Sequence, residues 1–119
     1  MCPDFGTGSE LRRWTRYEID CRVKMTCSRQ GQRLVNYGRA QDMSLGGMLL
    51  TAPFEFHEGE RVELEFTPPN MPETLRLSGV VRQRIGAYSF GIEFREVTES
   101  QRKLILRLFE VLHVLDSLK

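Results

Sequence analysis

The stretch RRWTR carries Arg12, Arg13 and Arg16, and the stretch DMSLGG carries Asp42, Ser44 and Gly47. These are the residues whose types and spacing could do chemistry. A guanidinium is a planar fork of N–H donors that matches a phosphate or the O6/N7 edge of guanine. A carboxylate beside a hydroxyl can accept from the N1–H and N2–H₂ donors of the same base. A glycine lets backbone approach a ligand closely. The chemistry suggested is recognition of a guanine-bearing anion. Each motif also has a plain structural reading. Asp42 and Ser44 suit a turn that hydrogen-bonds its own backbone, with Gly46 and Gly47 free to take positive φ. The R-x-x-x-R spacing recurs at Arg29 and Arg33. Position sets the first pair apart, because Arg12 and Arg16 lie on an arm just before the first strand. Such an arm can fold back across a barrel mouth.

Catalysis has little support. A nucleophile needs a base within reach, usually histidine. His57 lies in an acidic loop and His113 at the edge of a helix. No Gly-x-Ser-x-Gly, phosphate-binding loop, His-Glu-x-x-His or Cys-x-x-Cys is present. Cys2, Cys21 and Cys27 are odd in number and lack metal-ligand spacing. They read as reduced thiols, with Cys21 at a core position, and point to a cytoplasmic protein without metal or cofactor.

Charge is divided along the chain although the net value is only +1. Residues 12–39 hold eight Arg or Lys against two acids, and residues 40–75 hold one Arg against seven. That division suggests a local anion site. A single-stranded nucleic-acid groove is disfavoured, since Trp14 is the one strong stacking candidate and the middle third is acidic. No apolar run approaches the roughly 18–20 residues of a bilayer span, so no membrane insertion is expected. The first ten residues show no basic-then-apolar secretory signal.

The elements that must position these residues follow from periodicity. Residues 1–11 read as a flexible arm and 12–118 as one domain. Tyr17 to Thr26 alternates, with Tyr17, Ile19, Cys21, Val23 and Met25 inward. A turn at residues 28–33 leads to a strand over 34–39, which DMSLGG breaks. Further strands are predicted at 47–51, 61–67, 75–85 (with Gly79 a bend) and 88–95 (with Tyr88 inward). PPNMPE, residues 68–73, interrupts any regular element. Thr98 and Gln101 form a capping box that opens a helix over about 98–117. Six strands and one helix predict a mainly β chain, a small antiparallel barrel capped by that helix. The helix is apolar beyond one stripe, which suggests a dimer or partner surface on its far side.

The order of the parts then carries a resemblance. Arg12-x-x-x-Arg16, two strands and Asp42-x-Ser44-x-x-Gly47, with Phe90-Gly91-Ile92-Glu93-Phe94 as a last strand and the helix from Thr98, together resemble the PilZ domain family from residue 11 to about 118. The resemblance implies a six-stranded antiparallel β-barrel with a C-terminal α-helix. It also implies a bacterial receptor for the second messenger cyclic di-GMP, of the kind that regulates motility or biofilm formation. Arg12 and Arg16 would contact guanine and phosphate, and Asp42, Ser44 and Gly47 the other side of the ligand. Arg13 is an additional candidate, and Arg82 and Arg84 are candidates to line the same mouth. Leu11 in place of arginine favours one ligand per site, while Arg13 keeps two open. The effect would pass to an unidentified protein partner or through a homodimer built on the helix. The alternative is a protein-binding adaptor of the same fold that takes no nucleotide.

Overall fold

The structure is a computed structural model, and it describes residues 15–118. Six strands and one helix follow in order: β1 (Tyr17–Arg29), β2 (Gln32–Met43), β3 (Gly47–Thr51), β4 (Arg61–Phe66), β5 (Leu75–Arg84), β6 (Ser89–Arg95) and α1 (Glu99–Ser117). All neighbouring pairs are antiparallel, and the sheet closes into a barrel in the order β1-β2-β3-β6-β5-β4.

Alternation builds the interior. Ile19, Cys21, Val23 and Met25 of β1 are buried, as are Val62, Leu64 and Phe66 of β4 and Phe90, Ile92 and Phe94 of β6. Phe56 packs edge-on to Phe90 at 5.3 Å between centroids and helps to fill one end of the barrel. The capping box closes as the sequence predicts. The Thr98 N–H donates to Gln101 Oε1 at 2.7 Å, and the Gln101 N–H donates to Thr98 Oγ1 at 3.1 Å. Gln101 Nε2 also donates to the Arg76 carbonyl at 2.5 Å, tying the start of α1 to β5. The helix buries Ile105, Leu108 and Phe109, while Leu106, Val114, Leu115 and Leu118 stay exposed. Its apolar surface is therefore larger than the barrel end can cover.

Several predicted boundaries move. The β1–β2 hairpin is longer than periodicity suggests, reaching Arg29 and starting again at Gln32. Gln30 and Gly31 both take positive φ, 51° and 79°, which is the backbone a two-residue hairpin turn needs. The second strand does not stop at Arg39. It continues to Met43 through an irregularity between Ala40 and Asp42, so Asp42 and Met43 are strand residues, Gly47 opens β3, and only residues 44–46 of DMSLGG form the turn. Tyr88 is not an inward residue of β6. It lies in the β5–β6 turn and is exposed, as is Ile85. Gly79 does not bend β5. It is paired on both sides, and the irregularity falls between Val81 and Gln83.

Candidate ligand-binding site

Antiparallel pairing brings the two motifs together. Glu18 stands opposite Asp42, and Tyr17 opposite Met43, so the residue that enters β1 lies beside the end of β2. Arg16 Nη1 donates to Asp42 Oδ1 at 2.5 Å across 26 residues of sequence. The pair is accessible, with side-chain exposures of 49% and 25%. Such a half-exposed ion pair contributes about 0–1 kcal/mol, little enough for a ligand to replace it. Among the described residues Asp42 is the one hydrogen-bond acceptor of the Arg16 guanidinium and engages one of its five N–H donors.

Ser44 and Gly47 shape the turn that follows Asp42. Among the described residues Ser44 is the one fully buried polar side chain. Its Oγ accepts from the Gly46 N–H at 3.2 Å, and its N–H donates to the Gly47 carbonyl at 2.8 Å. The Gly46 carbonyl in turn accepts from the Phe94 N–H at 2.9 Å, which fastens the turn to β6. Positive φ was the expected reason for Gly46 and Gly47. Among the described glycines it occurs at Gly31 and Gly59 instead. Gly47 is required by close approach, because a Cβ there would lie 2.0 Å from the Ile92 carbonyl oxygen. The turn therefore holds Asp42 at a fixed place relative to Arg16.

Arg12 and Arg13 lie outside the described residues. Arg82 and Arg84 are described, and neither contacts Arg16 or Asp42. Glu93 Oε1 is buried 3.0 Å from Arg82 Nε and 2.9 Å from Arg95 Nη2, close enough for ion pairing but out of line for a hydrogen bond. Glu93 stands opposite Gly47 on β6, so Arg82 is held one strand beyond the turn. Arg84 pairs with Glu55 at 2.7 Å near the opposite end of β6, where its strand partner is Phe90. Sequence patterning misses Glu93 as a neighbour of the turn, because the β3–β6 pairing that places it there joins strands far apart in the chain.

The second R-x-x-x-R behaves unlike the first. Arg29 donates to Glu60 Oε2 at 2.5 Å, to Glu60 Oε1 at 2.8 Å and to the Glu55 carbonyl at 2.7 Å, with its guanidinium 4.8 Å from the Phe54 ring centre. The Arg29 hydrogen bond is the main cause that holds the Glu60 carboxyl below the usual carboxylate range, and burial opposes it. Burial pushes the Cys21 thiol up to about 11, so it is a protonated core side chain and not a nucleophile. No group of three or more His, Cys, Asp or Glu among the described residues could hold a metal ion.

The six-stranded closed barrel with its C-terminal helix and paired motifs matches a family pattern over most of the chain. The model of the PilZ domain covers residues 10–110. This chain belongs to the PilZ domain family. Two solved structures share the fold. The PilZ domain of CeSA from a cellulose-synthesizing bacterium is 18% identical, with a TM-score of 0.62 and coverage of 86% of this chain and 98% of that one. The PilZ domain of YcgR from Escherichia coli, solved with c-di-GMP, is 16% identical, with a TM-score of 0.66 and coverage of 88% and 93%. No curated protein matches the chain. No helix among the described residues is long and apolar enough to cross a membrane.

Proposed function

We propose that this PilZ domain is a cyclic di-GMP receptor that takes the nucleotide between Arg12-x-x-x-Arg16 and the Asp42–Gly47 turn and signals to a partner protein. The observation that carries the reading is the meeting of Arg16 and Asp42, with a single Arg16 donor engaged among the described residues. The ligand brings two phosphate charges and two guanines. Arg16, with Arg12, gives charge-assisted contacts to phosphate or to a guanine O6/N7 edge. Asp42 accepts from guanine N1–H and N2–H₂, donors that adenine lacks at those positions. Ser44 and Gly47 hold the turn that presents Asp42. Arg13 is a further contact. The reading assigns the domain binding and no catalytic step, and the buried free thiols Cys21 and Cys27 fit a reducing cytoplasm.

A solved PilZ domain with c-di-GMP among the structural neighbours supports the ligand class. The test is isothermal titration of cyclic di-GMP into the purified protein, with GTP and cyclic di-AMP as controls. Saturable, guanine-selective heat that is lost with Arg16→Ala is expected. A flat titration from folded, monodisperse protein overturns the reading. The second reading is an adaptor that binds protein alone, and the exposed Leu106, Val114 and Leu115 of α1, with Leu118 just beyond it, favour it, as they favour a homodimer.

A further inference from the structure

The outward face of the β1–β2 hairpin carries a surface that the nucleotide site does not use. Alternation turns Val23 and Met25 into the barrel and leaves Arg22 and Lys24 outside. On β2 the same alternation leaves Arg33, Val35, Tyr37 and Arg39 outside. Arg22 lies over the face of Tyr37, 4.3 Å from the ring centre. Tyr37 is 47% exposed, Val35 44% and Tyr88 59%, which is large for apolar and aromatic side chains, and no element among the described residues covers them. Arg22, Tyr37, Arg39, Thr51, Pro53 and Tyr88 line an open groove of about 460 Å³.

The cations of this face are short of partners. Among the described residues Arg22, Lys24 and Arg33 form no ion pair with a carboxylate, and Arg39 meets only the exposed Asp20, at 2.9 Å. An anionic partner would therefore find positive charge on Arg22, Lys24 and Arg33 that no described carboxylate is paired with. Shape selects the kind of partner. A small ligand binds where about 70–90% of its surface can be buried. An open groove on the outer wall of a barrel leaves such a molecule largely in water. A polyphosphate chain needs an unbroken run of cations. Here Asp20 lies among them, and Glu65 and Glu63 stand opposite Lys24 and Thr26 on β4. Exposed tyrosines set among arginines are the side chains that dominate protein–protein binding energy.

We propose that this hairpin face, centred on Arg22, Tyr37 and Arg39, docks a partner protein through an acidic segment that carries an aromatic side chain. Acidic groups pair with Arg22, Lys24 and Arg39, and the aromatic ring lies in the groove between Tyr37 and Tyr88. The face begins three residues along β2 from Asp42, so partner and nucleotide sites are neighbours without sharing a side chain. Docking by itself does not depend on nucleotide binding.

The test uses the full chain, labelled with ¹⁵N, and a short synthetic peptide of alternating glutamate and tyrosine as probe, without nucleotide. Saturable amide shifts confined to Arg22, Tyr37, Arg39, Thr51 and Tyr88 are expected. The double variant Arg22→Glu/Tyr37→Ser should weaken the peptide by about tenfold or more. Both positions are exposed, so the melting temperature and the cyclic di-GMP titration of that variant should match those of the parent. An all-glutamate peptide should bind more weakly than the probe. The proposal fails if the shifts are absent or spread over other faces, or if the variant binds as the parent does. Equal or tighter binding of an oligothymidylate also overturns it in favour of a nucleic-acid surface. Concentration-dependent self-association through the same amides overturns it in favour of a second copy of the chain.

Discussion

Arg29 and Arg16 each bind a carboxylate on a neighbouring segment, 31 and 26 residues away in the chain, and the barrel uses them in opposite ways. Arg29 grips both oxygens of Glu60, takes the Glu55 carbonyl as well, and faces Phe54. Its side chain is 30% exposed and that of Glu60 13%. Among the described residues Arg16 makes one bond to one oxygen, and its side chain is 49% exposed. The first arrangement is a clamp that fixes the long β3–β4 connection to the end of β1. The second is an open fork. The lesson is that R-x-x-x-R names a spacing and not a role. What separates a structural arginine from a binding one is how many donors the fold leaves open and how much water reaches them.

The contrast can be broken or sharpened by substitution. The largest effect is expected at Gly47, which serves the open site by letting β3 lie against β6. Gly47→Ala puts a methyl group into the Ile92 carbonyl and should cost about 3 kcal/mol or more of stability, read from urea unfolding. A fully stable variant would show that the turn is not held by close approach. Next comes the clamp. Glu60→Gln should lower stability by about 1–3 kcal/mol and leave nucleotide affinity unchanged. An affinity loss there would erase the distinction between the two arginines.

The Glu60 effect has a sign in pH. Its folded pKa is depressed, so its contribution is present above the unfolded value of about 4.3 and is lost as pH falls through the folded value. The stability gap between the parent and Glu60→Gln should therefore be full near neutrality and shrink below about pH 4. A gap that widened on acidification would contradict the cause given.

At the open fork the expectations reverse. Arg16→Ala should weaken cyclic di-GMP by about 1–3 kcal/mol, roughly fivefold to more than a hundredfold, in calorimetric titration. The same variant should change unfolding free energy by only about 0–1 kcal/mol, because its ion pair is half exposed. Wild-type affinity in that variant would remove Arg16 from the site.

Much of the barrel was legible. Strict alternation in β1, β4 and β6 has one stable solution, a sheet with a buried and an open face, and the Thr98/Gln101 cap is a local hydrogen-bond pattern. The strand that carries Asp42 was not legible to its end. Alternation stops at Arg39, and only pairing to β1 and β3 carries the strand through the irregularity to Met43. Tyr88 was misread for a related reason: its place in the alternation is correct, but β6 begins one residue later, in the turn, where nothing covers it. The site residues were visible as types. Their local geometry was not, since the burial of Ser44 and its bond to the Gly46 N–H depend on how the turn packs against β6.

The sequence by itself determined the strand periods, the capped helix, the lack of catalytic motifs and the pairing of an arginine arm with an Asp-x-Ser-x-x-Gly turn. These are short-range properties, set by side-chain alternation and by residue type. Tertiary structure alone decided which arginine became a clamp and which an open fork. It also decided why Gly47 must lack a side chain, and which face of the long hairpin shows Arg22 and Tyr37 to solvent. Those outcomes depend on strands far apart in the chain closing one barrel, and closure sets which donors are filled and which remain available.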